Sequence, residues 1–245
     1  MKSILVLLLL LSGVAEAKYL PRLLTIGEQE EVLKILGFGS AAKVIGAPYP
    51  LGGYEGVELS VASEFIPMTS IQSSGGLRGD ADVLRYTTIN LGKGIFYDID
   101  TYVFCTILQE YAPLGVFGGQ LRWGFYRSEE KPFTASVVFH GSSGNFENQL
   151  YTTTLGLSLY GIYSLPYVKI YGGFGQTRSI GTFAAGDLTS TTEPPVTNDG
   201  SRNNVERFSF QTTGGVTFDY QKYFLALEWN RFVEASYAVK FGSHF

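Results

Sequence analysis

The chain has few charged residues and no excess of positive charge. Asp, Glu, Lys and Arg together account for 16% of its 245 residues, and the formal net charge is −4. Proteins that bind nucleic acids need a basic surface to contact the phosphates. The composition therefore excludes nucleic acid as an expected partner.

Cysteine and histidine are nearly absent. Cys105 is the only cysteine in the sequence, so no internal disulfide can form, and His140 and His244 are the only histidines. Transition-metal sites are built from several Cys and His side chains. We therefore expect no metal site, and nothing in the sequence indicates another cofactor.

Long apolar runs are missing outside the N-terminus. Lys2 precedes an apolar run at 4–11, and the small residues Ala15 and Ala17 follow it. This pattern is typical of a secretory signal peptide, here residues 1–17. A membrane-spanning helix needs about 20 apolar residues, and no later stretch provides them. Such a chain can span a membrane only as a closed sheet, because lipid cannot satisfy an open sheet edge.

Glycine and aromatic residues are abundant, with 30 Gly, 18 Phe and 16 Tyr. Near the C-terminus, apolar side chains such as Tyr237 and Phe241 alternate with small or polar ones, and this period of two predicts a β-strand. The strand is long enough to cross a lipid core, and it ends in Phe245. Alternating strands also occur in secreted β-sandwiches, which stay an alternative at this point.

A terminal aromatic residue on such a strand resembles the C-terminal signature of bacterial outer-membrane barrels. Tyr237, Phe241 and Phe245 carry this resemblance. It implies a location in the bacterial outer membrane, with outer-membrane lipid and the barrel-assembly machinery as partners.

The alternation predicts an all-β fold for residues 54–245, a ten-stranded antiparallel transmembrane β-barrel with a short N-terminal helical segment before it. An even number of strands places both termini on one side, the periplasm. The longest connection, at 181–203, is rich in small and polar residues, and an extracellular ligand would bind there. The strands are predicted at about 54–66, 82–91, 94–109, 114–127, 132–141, 148–162, 166–180, 204–219, 222–231 and 234–245.

Residues 18–53 are expected to form a separate periplasmic segment. Thr25 and Glu28 have the spacing of a capping box, which predicts a short helix after Thr25. This helix is too short to span a membrane. We expect it to cover the periplasmic mouth of the barrel or to insert part-way into the lumen.

Charged residues of the second and third strands are predicted to meet inside the barrel. If Gly92 and Lys93 form a two-residue turn, Arg85 lies opposite Asp100, and Asp98 shares their face. Charged side chains avoid lipid, so this face is predicted to line the lumen.

Two further contacts extend this cluster. Folding of the next hairpin brings Arg122 near Asp100, and closure of the last strand on the first brings Lys240 near Glu58. The predicted lumen charge cluster consists of Arg85, Asp98, Asp100, Arg122, Glu58 and Lys240.

Paired charges inside a narrow barrel have two explanations. They can form a hydrogen-bonded polar core, because eight to ten strands enclose a space about wide enough for their own side chains. They can also line a narrow, porin-like pore whose selectivity the arginines set. The sequence favours the first explanation, a non-catalytic structural or surface-binding barrel, and leaves the pore open as an alternative.

An outer-membrane hydrolase is a further alternative. Asp80 and Asp82 at the outer rim, together with His140, superficially resemble the omptin proteases, which are ten-stranded and keep acidic residues and a histidine at the extracellular rim. Val138 stands where that family has an Asp two residues before its catalytic His. His140 and Ser142 could also be paired as in the lipid-deacylating barrels. We expect no catalytic residue, because no orienting partner for His140 is adjacent in the sequence.

The stretch at 91–100 reads LGKGIFYDID and follows a strand that carries Arg85. It resembles a hairpin in a family of uncharacterised outer-membrane barrels of Gram-negative bacteria. The similarity covers the mature chain, with an N-terminal helical segment, a Gly-rich first strand and the terminal Phe245. The resemblance implies a barrel and an outer-membrane location, and it brings no assigned activity.

Overall fold

Ten antiparallel strands close into one barrel in the computed structural model, which describes residues 20, 24–72, 74, 82–109, 114–183 and 203–245. Each strand pairs with its neighbours along the chain, and the last pairs with the first. The predicted fold class is confirmed. The strands are β1 (Val57–Pro67), β2 (Val83–Phe96), β3 (Ile99–Gln109), β4 (Leu114–Arg127), β5 (Phe133–Phe146), β6 (Leu150–Ser164), β7 (Val168–Phe183), β8 (Asn203–Tyr220), β9 (Tyr223–Arg231) and β10 (Ala235–His244).

Side chains alternate between the lumen and the outer surface along each strand. In β1, for example, Glu58 and Ser60 are buried in the lumen, whereas Leu59 and Val61 are exposed on the outside. This alternation follows from the period of two that every extended strand has. Among the described residues, no helix is both long and apolar enough to cross a membrane.

The two ends of the barrel differ in their connections. We call the end that carries the short connections 97–98, 128–132, 165–167 and 221–222, together with Phe245, the turn end. The other end, the loop end, carries the connections 68–82, 110–113, 147–149, 184–202 and 232–234. The predicted signal peptide at 1–17 and most of the predicted binding loop at 181–203 lie outside the described residues.

The N-terminal segment lies inside the barrel. Helix α1 (Ile26–Val32) begins at the predicted capping box of Thr25 and Glu28 and continues into a π-helical turn (Leu33–Gly37). Both pack within the loop end, and residues 41–52 then pass through the lumen without helix or strand. We call residues 24–52 the plug.

This position agrees with one of the two expectations for the helix, insertion into the lumen, and not with a cover over the mouth near β1. The helix lies at the end of the barrel opposite the start of β1. The two ends of the described chain therefore do not lie at one end of the barrel. Ten strands enclose more space than inward Gly, Ser and Thr side chains can fill, and the plug takes up the remaining volume.

The predicted turn at Gly92 and Lys93 is wrong. Strand β2 continues to Phe96, and the turn lies at 97–98, where Tyr97 has a φ of 41°. Leu91 consequently pairs with Val103 rather than with Gly94. The observed partner of Leu91 differs from the predicted one by an odd number of residues. The side chains of β2 that were predicted to face the lumen therefore face outward, and those predicted to face outward line the lumen.

Candidate functional site

The lumen is the candidate functional site, because its polar side chains converge on the backbone of the plug. A chain without helix or strand leaves its N–H and C=O groups unpaired, and burying such groups is costly unless other groups bond to them. Seven inward side chains on five strands provide these bonds.

The bonds follow the plug from the loop end to the turn end. Near its start, Ser142 Oγ donates to Ser40 O at 3.1 Å, and near its end Leu51 N donates to the Asp100 carboxylate at 3.1 Å. In between, Gln120 Nε2 donates to Lys43 O (2.5 Å), Arg122 Nη2 donates to Val44 O (2.7 Å), Gly46 N donates to Tyr171 Oη (2.9 Å), Ala47 N donates to Thr217 Oγ1 (2.9 Å) and Ser136 Oγ donates to Pro48 O (2.8 Å).

Apolar side chains seal the loop end. Leu33 and Leu36 of the π-helical turn are fully buried, and they pack against apolar inward residues at this end of the strands. A water-filled mouth would expose these side chains, so the helix supplies the surface that buries them. The wall part of this cluster is Ile66, Leu84, Leu114, Val116, Phe146, Leu150, Phe183 and Val205.

A buried ion pair joins the plug to the wall. Lys43 Nζ lies 2.5 Å from Glu64 Oε2, and both side chains are almost completely buried. Tyr86 donates its hydroxyl to the same carboxylate oxygen at 2.9 Å. Sequence reasoning missed this contact, because the predicted register of β2 turned Arg85 rather than its neighbour Tyr86 toward the lumen, and because Lys43 belongs to the segment before the strands.

Glu58 and Lys240 meet inside the barrel near the turn end. Lys240 Nζ lies 2.6 Å from Glu58 Oε1, and the contact expected from strand closure is present. Tyr102 donates to Glu58 Oε2 at 3.1 Å, Ser60 donates to Oε1 at 3.0 Å, and His244 Nε2 lies 3.4 Å from Oε2. Glu58 is therefore bonded at both carboxylate oxygens.

Arg122 and Asp100 are direct partners across β3 and β4 and face the lumen. Each uses its hydrogen-bonding groups on the plug, Arg122 at Val44 O and Asp100 at Leu51 N. The guanidinium of Arg122 also stacks on the ring of Tyr102, 3.7 Å from its centroid. These two charged side chains thus bind the backbone of the plug and do not form a ring of charges that could select ions.

Arg85 and Asp98 do not belong to this cluster, contrary to the prediction. The reversal of β2 places Arg85 on the outer surface, where its guanidinium lies over the ring of Phe65. Asp98 lies in the turn after β2 and accepts a hydrogen bond from Arg127 at 3.1 Å, with both side chains about half exposed.

Large inward rings lie against glycines of the neighbouring strand. Tyr171, for example, is paired directly with Gly215, and a Cβ at Gly215 would overlap the Tyr171 ring. The absence of a side chain lets the ring lie flat on the wall, which keeps the centre of the lumen free for the plug. The ring and glycine pairs are Tyr102 with Gly92, Phe104 with Gly118, His140 with Gly156, Tyr160 with Gly173, Tyr171 with Gly215 and Phe224 with Gly242.

The residues considered for hydrolysis do not form a site. His140 is 1% exposed and lies in the middle of β5, inside the barrel, rather than near the rim. Ser142 bonds to Ser40 O and to Thr154. Asp82 accepts a hydrogen bond from Gln72 at 2.7 Å, and Asp80 lies outside the described residues.

A cavity of about 230 Å³ remains at the turn end, between the last part of the plug and the wall. Ile45, Tyr49 and Leu51 of the plug line it, together with Arg122 and Lys169 of the barrel. In the part of the chain that the structure describes, no group of His, Cys, Asp and Glu side chains could hold a metal ion.

The residues of the predicted assembly signature lie at the outer surface of β10 and at its end. Tyr237 and Phe241 face outward, and each is more than half exposed. Phe245 continues the pairing with β1, because its N–H and C=O both bond to Val57.

No protein-family model and no curated protein matches the sequence. Among solved structures, the chain is similar to Ail, the attachment invasion locus protein of Yersinia pestis, with 13% identity and a TM-score of 0.32 over 79% of this chain and 99% of that one. It is also similar to Neisserial surface protein A, with 9% identity and a TM-score of 0.29 over 81% of this chain and 95% of that one. Structural similarities with TM-scores this low carry no information about the function of this chain.

Proposed function

We propose that this protein is an integral outer-membrane barrel that its own N-terminal segment keeps closed, and that it is neither a pore nor an enzyme. The observation that carries the proposal is the series of hydrogen bonds between the lumen wall and the plug backbone. Such a wall is specific for the segment that it holds, because each bond satisfies a group that would otherwise be buried without a partner.

The outer surface supports the membrane location. Many outward side chains in the middle of the strands are large and apolar, for example Leu121, Leu157 and Phe174. A surface of this kind would aggregate in water but matches the hydrocarbon core of a bilayer. Exposed aromatic residues surround the turn end, where a membrane interface would be: Tyr97, Trp123, Phe125, Tyr126, Phe133, Tyr163, Tyr167, Tyr220, Tyr223 and Phe245.

On this proposal the partners are outer-membrane lipid and the assembly machinery, to which β10 offers Tyr237, Phe241 and Phe245. The signal peptide at 1–17 provides export. A surface ligand would be bound at the loop end, where the longer connections and the connection that contains most of 181–203 emerge.

The closed lumen argues against the porin-like alternative. A pore needs a continuous water path, whereas the apolar seal around Leu33 and Leu36 occupies the loop end. Residues of the plug, among them Ile45 and Tyr49, form part of the lining of the cavity at the turn end. The position of His140 argues against a hydrolase, because a substrate at the rim could not reach a side chain buried in the middle of β5.

Electrical recordings from planar lipid bilayers test the closed state. The full-length mature protein should give no conductance steps, after insertion has been verified by its resistance to protease in the same lipid. Leu36→Asp should give steps, because a carboxylate cannot remain in the apolar seal and the helix must leave its position. Glu31→Ala, on the exposed side of α1, is the matched control and should stay silent. Regular steps from the unaltered protein would contradict the proposal.

A further inference from the structure

Followed backwards along the chain from β1, the plug enters the barrel at the turn end and leaves it at the loop end. Residues 53–56 connect it to the start of β1, and Gly94 N donates to Gly56 O at 3.0 Å at this end of β2. At the other end, Leu20 N donates to Glu147 Oε1 at 3.2 Å, in the connection between β5 and β6. The described chain thus passes through the complete length of its own barrel.

Side chains in the first part of the plug, from α1 to Phe38, contact several loop-end elements. Glu30 forms an ion pair with Arg207, which lies near the start of β8. The ring of Phe38 stacks on that of Phe232, in the connection between β9 and β10, with 5.7 Å between the centroids. Contacts with separate strands on the wall fix the helix at this end, so its position does not depend on one interaction.

We infer that the two ends of the described chain, Leu20 and Phe245, lie on opposite sides of the membrane, with the first turn of α1 displayed on the cell surface beside the long connections. This rests on the proposed function only in requiring that the barrel spans a membrane. Since a closed barrel has no lateral opening in its described strands, the chain between Leu20 at the loop end and β1 passes through the lumen. The C-terminus at Phe245 stays at the turn end.

The displayed surface has a definite position. Gly27 and Glu31 of α1 are exposed, and no atom lies within 4 Å of a Cβ added at Gly27. Gly27 can therefore carry a reporter side chain without disturbing the helix. Asn148 at the loop end and Glu130 at the turn end are exposed as well, and they provide matched reference positions.

Single-cysteine labelling tests this inference. In a Cys105→Ser background, Gly27→Cys, Asn148→Cys and Glu130→Cys are expressed in full-length form and treated with a polyethylene-glycol maleimide too large to cross the outer membrane. In intact cells Gly27→Cys should be labelled to the same extent as Asn148→Cys. Glu130→Cys should be labelled only after the cells are broken. Glu31→Cys provides a second reporter if Gly27→Cys does not accumulate.

Two other outcomes have separate meanings. If Gly27→Cys behaves like Glu130→Cys while Asn148→Cys is labelled in intact cells, the chain does not pass through its barrel and the inference is overturned. If Glu130→Cys alone is labelled in intact cells, Gly27 and Asn148 still share one side. That result keeps the passage through the barrel and overturns the outward orientation of the loop end.

Discussion

Glycine on the inner face of this barrel provides space for aromatic rings. Gly92 and Lys93, which Gly94 follows, were expected to form a two-residue turn, because such a glycine cluster is a common turn signal. In the structure, Gly92 lies under the ring of Tyr102, and Gly94 lies against the backbone of Gly53. The sequence pattern alone does not distinguish a glycine that bends the chain from one that gives room to a neighbour, and the register of β2 could not be predicted for this reason.

Replacement of one such glycine should destabilise the barrel. Gly215→Ala would place a methyl group into the ring of Tyr171, whose hydroxyl bonds to Gly46 N of the plug and to Glu228. We expect a loss of about 1–3 kcal/mol, as for other overpacked interiors. The urea concentration at half-unfolding in lipid vesicles measures this loss. Gly172→Ala is the control and should be nearly neutral, since its Cβ would meet no atom closer than 3.6 Å; equal losses in the two variants would refute the explanation.

Where residues alternate without glycine clusters, the faces of the strands were predictable. Glu58 and Lys240 were placed together by counting along β1 and β10, and they are in contact. Glu64 lies on the same face of β1, but its partner Lys43 belongs to the plug. Lys43 could not be identified by pairing residues of neighbouring strands, because it does not lie on a strand.

At the scale of elements, the plug is an irregular segment that one buried ion pair ties to β1. Lys43→Met leaves Glu64 buried without its cation and should lower the free energy of unfolding by about 3–5 kcal/mol. The double variant Lys43→Met with Glu64→Gln should recover most of this loss, because the amide oxygen still accepts the hydrogen bond from Tyr86.

Unfolding in urea, followed by the change in migration of the unheated protein on a denaturing gel, checks both variants. Arg178→Gln removes one partner of an exposed pair with Glu206 on the outer surface and serves as the control, with little change expected. A double variant as unstable as Lys43→Met would show that the plug depends on Lys43 for another reason.

The helix itself was predictable, and insertion into the lumen was one of its two expected locations, but the end of the barrel at which it lies was not predicted. The spacing of Thr25 and Glu28 marks the start of α1, and the capping box is present. What identifies its position is the set of inward apolar side chains at the loop end, such as Leu84 and Phe146. In an open barrel these apolar side chains would face water, which is unfavourable. Their presence on the inner face therefore indicates that another segment of the chain covers them.

At the scale of the whole molecule, ten strands and a plug form one interior. The barrel without its plug would bury many hydroxyl, amide and charged groups around an empty or wet channel, and the plug without the barrel could not pair its backbone. We therefore expect the strands to close around the plug rather than the plug to enter a finished barrel, because the bonds of each depend on the other.

A disulfide between plug and wall tests most directly whether the plug occupies the lumen. A Cβ at Gly37 would overlap Ser179 Oγ of β7, so cysteines at both positions lie within bonding range. In a Cys105→Ser background, Gly37→Cys with Ser179→Cys should yield the cross-linked peptide by mass spectrometry after mild oxidation in the membrane. Gly37→Cys with Thr134→Cys, whose second position lies on the inner face near the turn end, should not. If the two cysteines of the first pair remain free thiols in a correctly folded barrel, that result contradicts a plug inside the lumen.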